Sequence, residues 1–227
     1  MILVIGAMLE EITALKIKMT DIEEKEVQGI RVVSGMVDNA TVLLALSGVG
    51  KVNAAFTTAT LSQHFDIQSI INIGSAGGLQ DGQNVGDIVL STQCQYHDLD
   101  IGPTTHTDPR FIFKPETSYL PTLETIIESM DLNCHTGLLL AGDQFITNQS
   151  PHFKIIQDLF PCAVAVDMES AAIAAVATRL KIPFVILRSL SDVTLHHGNE
   201  LTFEEYLPLA SENSAKICIE FIKKEFA

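Results

Sequence analysis

"VAVDMESAAIAAVA", residues 164–177, is the stretch of sequence that decides the fold. It begins as an apolar run without polar alternation, which is typical of a strand buried on both faces, and it continues in the small and aliphatic residues of a packed helix. A strand that runs directly into a helix is the repeating unit of an α/β protein. Two carboxylates, Asp167 and Glu169, lie at the junction. Acidic side chains are seldom buried without a partner, so the junction also marks a candidate site.

The same alternation continues on both sides of this stretch. Further strand-like runs are "MILVIG", "SIINIG", "VGDIVLS", "GLLLAGD" and "PFVILRSLSD". The neighbouring runs "GIRVVSGMV" and "TVLLALS", joined by "DNA", indicate an antiparallel hairpin. We therefore predict a single domain over residues 1–227, with a three-layer α/β/α architecture in which a central mixed β-sheet is flanked by helices. The irregular stretch 98–121 is too long for an ordinary connection and indicates a functional or interface loop.

Composition narrows the possible functions. The 227 residues are 47% hydrophobic and 19% charged, which favours a large core over disorder; the net charge is −14. A surface that follows phosphates needs clustered basic residues, and the few arginines here are scattered, so nucleic acid is not an expected partner. No run of 18 apolar residues occurs, and the first residues resemble a strand rather than a signal peptide. We therefore expect no membrane association.

Metal, disulfide and dinucleotide sites are not indicated either. The cysteines are far apart and form no CxxC pair, which favours a reducing cytoplasm over a disulfide scaffold. The histidines, including His196 and His197, show no metal-ligand spacing, so we expect no metal and no cofactor. "SGVGK" has Ala45 where a Walker loop needs glycine, and "GAMLEE" lacks two glycines of the dinucleotide fingerprint. A dinucleotide-dependent oxidoreductase is therefore disfavoured.

Polar or glycine-rich residues follow five of the predicted strands. They are Glu10 and Glu11; the "GSAGG" turn, 74–78; Asp143, Gln144 and Phe145; Asp167, Met168 and Glu169; and Arg188, Ser191 and Asp192. In open α/β sheets, ligands bind beyond the carboxyl ends of the strands. The convergence of five such ends predicts a site there.

Glu169 stands out among these residues. If a helix begins near Met168, Glu169 shares one face with three aliphatic residues, Ile173, Val176 and Leu180. The carboxylate then lies at the end of a buried stripe, where it can accept hydrogen bonds from vicinal hydroxyls. Asp167 points elsewhere and complements the helix dipole, which stabilises a helix by about 0.3–1 kcal/mol. Taken singly, Asp192 is equally compatible with a turn, Glu11 with an ordinary helix start, and Phe145 with a core position.

Several segments in order resemble the 5′-methylthioadenosine/S-adenosylhomocysteine nucleosidases of the purine nucleoside phosphorylase superfamily. They are "IGAMLEEI", "SGVGKVNAA", "INIGSAGGL", "YHDLD", "AGDQFI", "AVDMESAAIA", "PFVILRSLSD" and "LTFEEYL", and they extend over essentially the whole chain. The resemblance implies a nucleoside phosphorylase-like fold and a homodimer. It also implies hydrolysis of the N-glycosidic bond of 5′-modified adenine nucleosides, with release of adenine.

The resemblance implies roles for individual residues. Glu11 matches the glutamate that activates the water, and Asp192 matches the aspartate that protonates the purine at N7. Glu169 matches the glutamate that binds the ribose hydroxyls, Met168 the methionine on the sugar, and Phe145 the phenylalanine stacked on adenine.

The remaining matches concern binding. Ile146 matches the residue whose backbone meets the base edge. Ser75 and Arg188 match polar groups around the nucleophile and Asp192. Met8 and Gly77 belong to the substrate-binding set.

Three functions have to be compared: a hydrolase, a phosphate-dependent phosphorylase and a non-catalytic nucleoside-binding protein. Two acids that flank a sugar, with room for water, follow the logic of an inverting glycosidase. A phosphate-dependent phosphorylase would need cationic anchors, usually arginines, and there is no arginine in residues 6–16 or in "INIGSAGG". The loop after "YHDLD" departs from the family pattern and leaves the 5′-substituent open, including S-adenosylhomocysteine, 5′-deoxyadenosine and aminofutalosine. A non-catalytic nucleoside-binding relative is disfavoured because all three carboxylates are present.

Overall fold

The computed structural model describes residues 1–195 and 199–227. Within the second range, side chains are described from residue 203 onward. The strands are β1 Ile2–Gly6, β2 Thr20–Val27, β3 Ile30–Val37, β4 Ala40–Leu46, β5 Ser69–Asn72, β6 Ser75–Gly78, β7 Ile88–Tyr96, β8 Cys134–Ala141, β9 Ala163–Asp167 and β10 Phe184–Val193. The α-helices are α1 Leu9–Lys16, α2 Lys51–His64, α3 Leu120–Ser129, α4 Pro151–Leu159, α5 Ser170–Leu180 and α6 Asn199–Glu225.

All of these strands belong to one mixed sheet, in the order β2-β3-β4-β1-β5-β10-β6-β9-β8-β7. The central strands β4, β1, β5 and β10 run parallel, whereas β2, β3 and β4 form antiparallel pairs. The predicted fold class is confirmed. The predicted hairpin is confirmed as well, because β3 and β4 pair antiparallel with Val33 opposite Leu44.

The sheet closes on itself in its second half. β7 pairs antiparallel with β10, with Leu90 opposite Leu187, so that β10, β6, β9, β8 and β7 form a ring. The strands from β2 to β5 stay open. The predicted "GSAGG" turn is in fact a bend at Gly74 followed by the short strand β6, which lies between β10 and β9.

Helices cover both faces of the sheet. α1, α3 and α6 pack on one face, and α2 and α5 pack on the other. On β1, Val4 points into the first core, whereas Leu3 and Ile5 point into the second. Both faces of such a strand are buried, and each fully buried aliphatic side chain stabilises the fold by about 1.5–3 kcal/mol. The carboxyl ends of the strands are thereby fixed against a packed core.

One expectation about the helices is corrected, and two concern segments on which the structure does not decide. α5 begins at Ser170 with Glu169 as its N-cap, and Leu180 is 39% exposed, so the buried face consists mainly of alanines and Ile173. The stretch 98–121 contains three short 3₁₀ turns and ends as α3 begins. His196 and His197 lie outside the described residues.

Among the described helices, none is long and apolar enough to cross a membrane.

Candidate active site

The strand ends enclose a cavity of about 260 Å³. Nine of the predicted site residues line it: Met8, Glu11, Ser75, Gly77, Phe145, Ile146, Met168, Glu169 and Asp192. Arg188 is not among the residues that line the cavity. The prediction from strand ends therefore locates the cavity, since each of these residues follows or ends a strand.

Glu11 is held by four donors. β1 ends at Gly6, and the first turn of α1 folds the Glu11 carboxylate back over the connection. There Oε2 accepts from the backbone N–H of Ala7 (2.7 Å) and of Met8 (3.1 Å). Oε1 accepts from the N–H (3.2 Å) and the hydroxyl (3.4 Å) of Ser75. Burial raises the pKa of Glu11, while Arg188 and these backbone donors oppose the shift.

Gly74 packs against two charged groups, the carboxylate of Glu11 and the guanidinium of Arg188. Its φ is +147°, and a Cβ at this position would lie 2.7 Å from Oε1 of Glu11 and 2.2 Å from Nη1 of Arg188. A side chain is therefore incompatible with this arrangement.

Arg188 is buried next to the cavity and contacts the groups that surround it. Its side chain is fully buried and donates to the carbonyl oxygen of Ile73 (2.8 Å) and to Oδ1 of Asn72 (2.7 Å). Its Nη2 lies 2.5 Å from Oδ2 of Asp167 and 3.7 Å from Oε2 of Glu169. The assignment of Arg188 to direct substrate contact is thus corrected, because the side chain is fully buried and its Nη1 and Nη2 groups are directed at protein groups.

Asp167 and Glu169 bind different partners at the start of α5. Oδ1 of Asp167 accepts from the N–H (3.2 Å) and hydroxyl (2.8 Å) of Ser170, which confirms the prediction that Asp167 serves the helix N-terminus. Oε1 of Glu169 accepts from the N–H of Gly50 (2.9 Å). Burial, reinforced by the charge of Asp167, raises the pKa of Glu169 to about 7, and Arg188 opposes this shift.

Asp192 reaches the cavity through an irregularity in β10. The pairing of β10 with β6 shifts register between Leu190 and Asp192, and both Ser191 and Asp192 line the cavity. In a regular strand, consecutive side chains point to opposite faces, so a bulge is what brings both to one side. The Ser191 hydroxyl donates to Oδ1 of Asp192 (3.0 Å). A Cβ on Gly77 would lie 3.1 Å from Oδ2, so a larger residue there would crowd the carboxyl group.

Apolar side chains form the opposite wall. Phe145 is 41% exposed and meets Phe203 edge to face, with ring centroids 5.5 Å apart. Met8, Met168 and Val49 complete this wall. Sequence reasoning missed Phe203 and Val49, although both lie in segments that carry the resemblance, "LTFEEYL" and "SGVGKVNAA".

Negative charge dominates the cavity. Four carboxyl groups line it, those of Glu11, Asp167, Glu169 and Asp192, and the described lining includes no lysine or arginine. One buried guanidinium offsets them. Burial disfavours the charged forms and raises the pKa of Glu11 and that of Glu169. The arrangement can supply a general acid, a general base and a field that stabilises developing positive charge.

A family model and the sequences of known relatives both match this chain over nearly its whole length. The family model of the phosphorylase superfamily matches residues 1–223. The 5′-methylthioadenosine/S-adenosylhomocysteine nucleosidase of Staphylococcus carnosus is 38% identical over 98% of this chain and 99% of its own length.

Solved structures agree. The nucleosidase of Neisseria meningitidis, in complex with methylthio-immucillin-A, matches with a TM-score of 0.92 and 34% identity over 98% of both chains. The nucleosidase of Colwellia psychrerythraea, in complex with adenine, matches with a TM-score of 0.92 and 37% identity over 98% of this chain and 94% of its own.

Proposed function

The chain belongs to the 5′-methylthioadenosine/S-adenosylhomocysteine nucleosidases of the phosphorylase superfamily, and from that premise we propose that it hydrolyses the N-glycosidic bond of 5′-modified adenine nucleosides. The products are adenine and the 5′-modified ribose. The observation that carries the proposal is the set of buried carboxyl groups around one cavity, opposite an aromatic wall.

Asp192 and Glu11 act as a proton donor and a proton acceptor. Asp192 delivers its proton to N7 of the purine, so that the base leaves neutral as the C–N bond breaks. Glu11 takes a proton from the water whose oxygen bonds to the anomeric carbon. One proton is donated and one accepted, and exchange with solvent restores both groups. Burial supports this division, because a carboxyl group with a raised pKa is a stronger base.

Glu169 binds the ribose. Its Oε1 is held by Gly50, and its carboxylate keeps further acceptor capacity for two adjacent hydroxyls. Met168 and Met8 pack on the sugar. The negative charge also stabilises the oxocarbenium-like transition state, since opposite charges interact strongly in a dry site.

Phe145, Ile146 and Phe203 form the base subsite. Phe145 stacks on adenine, and the backbone of Ile146 meets the base. Phe203 packs edge to face against Phe145. The edge-to-face contact between the two rings supports this arrangement.

Water, rather than phosphate, is the nucleophile. A phosphate would face four carboxyl groups, and Arg188 is already engaged with Ile73, Asn72 and Asp167. Phosphate recognition uses free guanidinium or ammonium donors. A hydrolase does not need such cationic donors, because its nucleophile is water.

The protein works in the cytoplasm as a homodimer in this proposal. All four cysteines are free thiols, in keeping with a reducing compartment. α2 exposes Val52 (79%) and Phe56 (52%) beside Val49 at the cavity, and in this proposal these apolar side chains meet the second copy. Phe113 is buried against Tyr96, so this residue of the loop 98–121 is a core residue.

The test is adenine release from 5′-methylthioadenosine, with and without phosphate, for the wild-type protein and for Asp192→Asn. We expect release without phosphate, and a loss of about 10²- to 10⁴-fold in kcat for the variant with its fold intact. Release only with phosphate would establish a phosphorylase instead. Near-normal turnover of Asp192→Asn would remove the acid role. S-adenosylhomocysteine, 5′-deoxyadenosine and aminofutalosine in the same assay rank the 5′-substituents.

A further inference from the structure

A second ionic cluster lies beside the cavity, and the proposed chemistry does not use it. This Lys51 cluster consists of Lys51, Asp98 and Asp143. Nζ of Lys51 lies 2.5 Å from Oδ2 of Asp98 and 3.7 Å from Oδ2 of Asp143. The side chains of Lys51 and Asp98 are only 23% and 12% exposed, unlike those of an ordinary surface pair.

The cluster joins three elements at the edge of the site. Lys51 is the first residue of α2, and Asp98 and Asp143 follow the ends of β7 and β8. The stem of Lys51 also places Nζ 5.5 Å from the ring centroid of Tyr96. The hydrogen bonds from Lys51 and from the backbone of Asp143 hold the pKa of Asp98 below its usual range, although burial acts in the opposite direction. Asp98 is therefore a carboxylate at neutral pH.

Two successive amides connect the cluster to Glu169. The N–H of Lys51 donates to Oδ1 of Asp143 (2.8 Å), and the preceding N–H, that of Gly50, donates to Oε1 of Glu169 (2.9 Å). Gly50 has a φ of +97°, a conformation suited to glycine. Because the two amides share the same turn, fixing Lys51 also fixes the direction of the Gly50 donor.

The base subsite is connected through Asp143. Oδ2 of Asp98 accepts from the N–H of Asp143 (2.9 Å). Asp143 directly precedes the cavity residues Gln144, Phe145 and Ile146. One aspartate, Asp98, thus holds both the start of α2 and the start of this segment.

We propose that Lys51, Asp98 and Asp143 form a positioning cluster that sets the ribose-binding Glu169 and the adenine-binding segment 144–146 in register with each other. The inference rests on the proposed function, because it takes Glu169 to bind ribose. The three residues touch no substrate in this account. They act through the Gly50 amide and through the backbone of Asp143.

The test is a comparison of Lys51→Met with Lys51→Arg and a matched control. Methionine keeps most of the stem and removes the charge, while arginine restores charge and donors. The control is Lys16→Met, which breaks another 2.5 Å ion pair between two elements, with Glu24, on the exposed side of α1. For Lys51→Met we expect a loss of about 10- to 100-fold in kcat/KM, since small misplacements of positioning groups are costly. We expect substantial rescue in Lys51→Arg and no change in Lys16→Met.

The pH profile separates positioning from simple stabilisation. The charged groups that face Glu169 are Arg188, Asp167 and Glu11, and they stay in place in Lys51→Met. The Gly50 donor lowers the pKa of Glu169, so loosening it moves the acid limb of kcat/KM to higher pH. A purely structural ion pair would lower the Tm and leave this limb unchanged.

Two results would overturn the inference. The first is a Lys51→Met enzyme whose kcat/KM equals that of Lys16→Met. The second is a loss of activity with an unmoved acid limb and no rescue by arginine. A wild-type chain that releases no adenine would overturn the proposed function, and the inference with it, before any variant is compared.

Discussion

Arg188 and Lys51 each join two aspartate or glutamate side chains near the same cavity, but their surroundings differ. Arg188 is fully buried, and its guanidinium offsets several carboxyl groups at once. Lys51 keeps 23% of its side chain exposed, and one of its partners, Asp143, keeps 49%. Removing one member of a buried ion pair leaves an uncompensated charge, whereas water screens a partly exposed one. Arg188 therefore supports stability and proton affinity, and Lys51 supports geometry.

The largest effect is expected for Arg188→Met. Without the guanidinium, Asp167 and Glu169 are left buried without a cation, so the free energy of unfolding falls by about 3–5 kcal/mol. Urea denaturation at pH 7, followed by circular dichroism because the chain has no tryptophan, measures this change. Lys51→Met should lose less than Arg188→Met in the same experiment, because Lys51 and its partner Asp143 are partly exposed to water. Equal losses for the two variants would abolish the contrast between the clusters.

Glu169→Gln should gain stability while it loses activity. The folded pKa of Glu169 is about 7, above its ordinary value of 4.5, so ionisation disfavours the folded state as pH rises through that window. Glutamine carries no such penalty. At pH 8 the variant should be more stable than wild type by about 1–3 kcal/mol, and near pH 4.5 the difference should vanish.

The accompanying loss in kcat/KM should be about 10- to 100-fold, because hydrogen bonds to a charged acceptor are lost. Thermal denaturation at both pH values, with steady-state assays at pH 8, provides the measurement. A variant that is less stable than wild type at pH 8 would contradict the assigned direction of the pKa shift.

The smallest effect concerns the helix start held by the Lys51 cluster. α2 has no side-chain cap of its own and no acid in its first turn, and Asp143 supplies the missing acceptor to the N–H of Lys51. Asp143→Ala should cost about 1 kcal/mol of stability, whereas Asp143→Asn, which keeps an oxygen acceptor, should stay close to wild type. Urea denaturation of both variants tests this. If the two variants lose the same amount, the charge rather than the cap supports α2.

The strands with apolar runs and the placement of the site were predictable from the sequence. β1, β5, β9 and β10 are buried on both faces, so their residues carry a clear signal. The strand-end rule then located the cavity without knowledge of the strand order. Asp192 and Glu11 were chosen for their positions after strands and through the family resemblance, and both line the cavity.

Other features left no readable signal. β2, "TDIEEKEV", is almost wholly exposed and lacks apolar alternation, so it was not predicted. The pairing of β7 with β10 joins strands about 100 residues apart, and no local pattern encodes it. Arg188 was assigned to the substrate because sequence cannot show that Ile73, Asn72 and Asp167 already occupy its donors. Asp143 was recognised at a strand end, but the sequence does not show its contact with Lys51.

The pairing of β7 with β10 also affects how readily the protein can aggregate through the edges of its sheet. A sheet normally offers two edges to which a foreign strand can add. Here, among the described strands, β2 is the outermost one left unpaired on one side. That strand bears Glu23, Glu24, Lys25 and Glu26 in succession, and charges on an edge oppose strand addition and fibril growth. β2 is thus the terminal strand of the described sheet order, and its composition resists edge-to-edge aggregation.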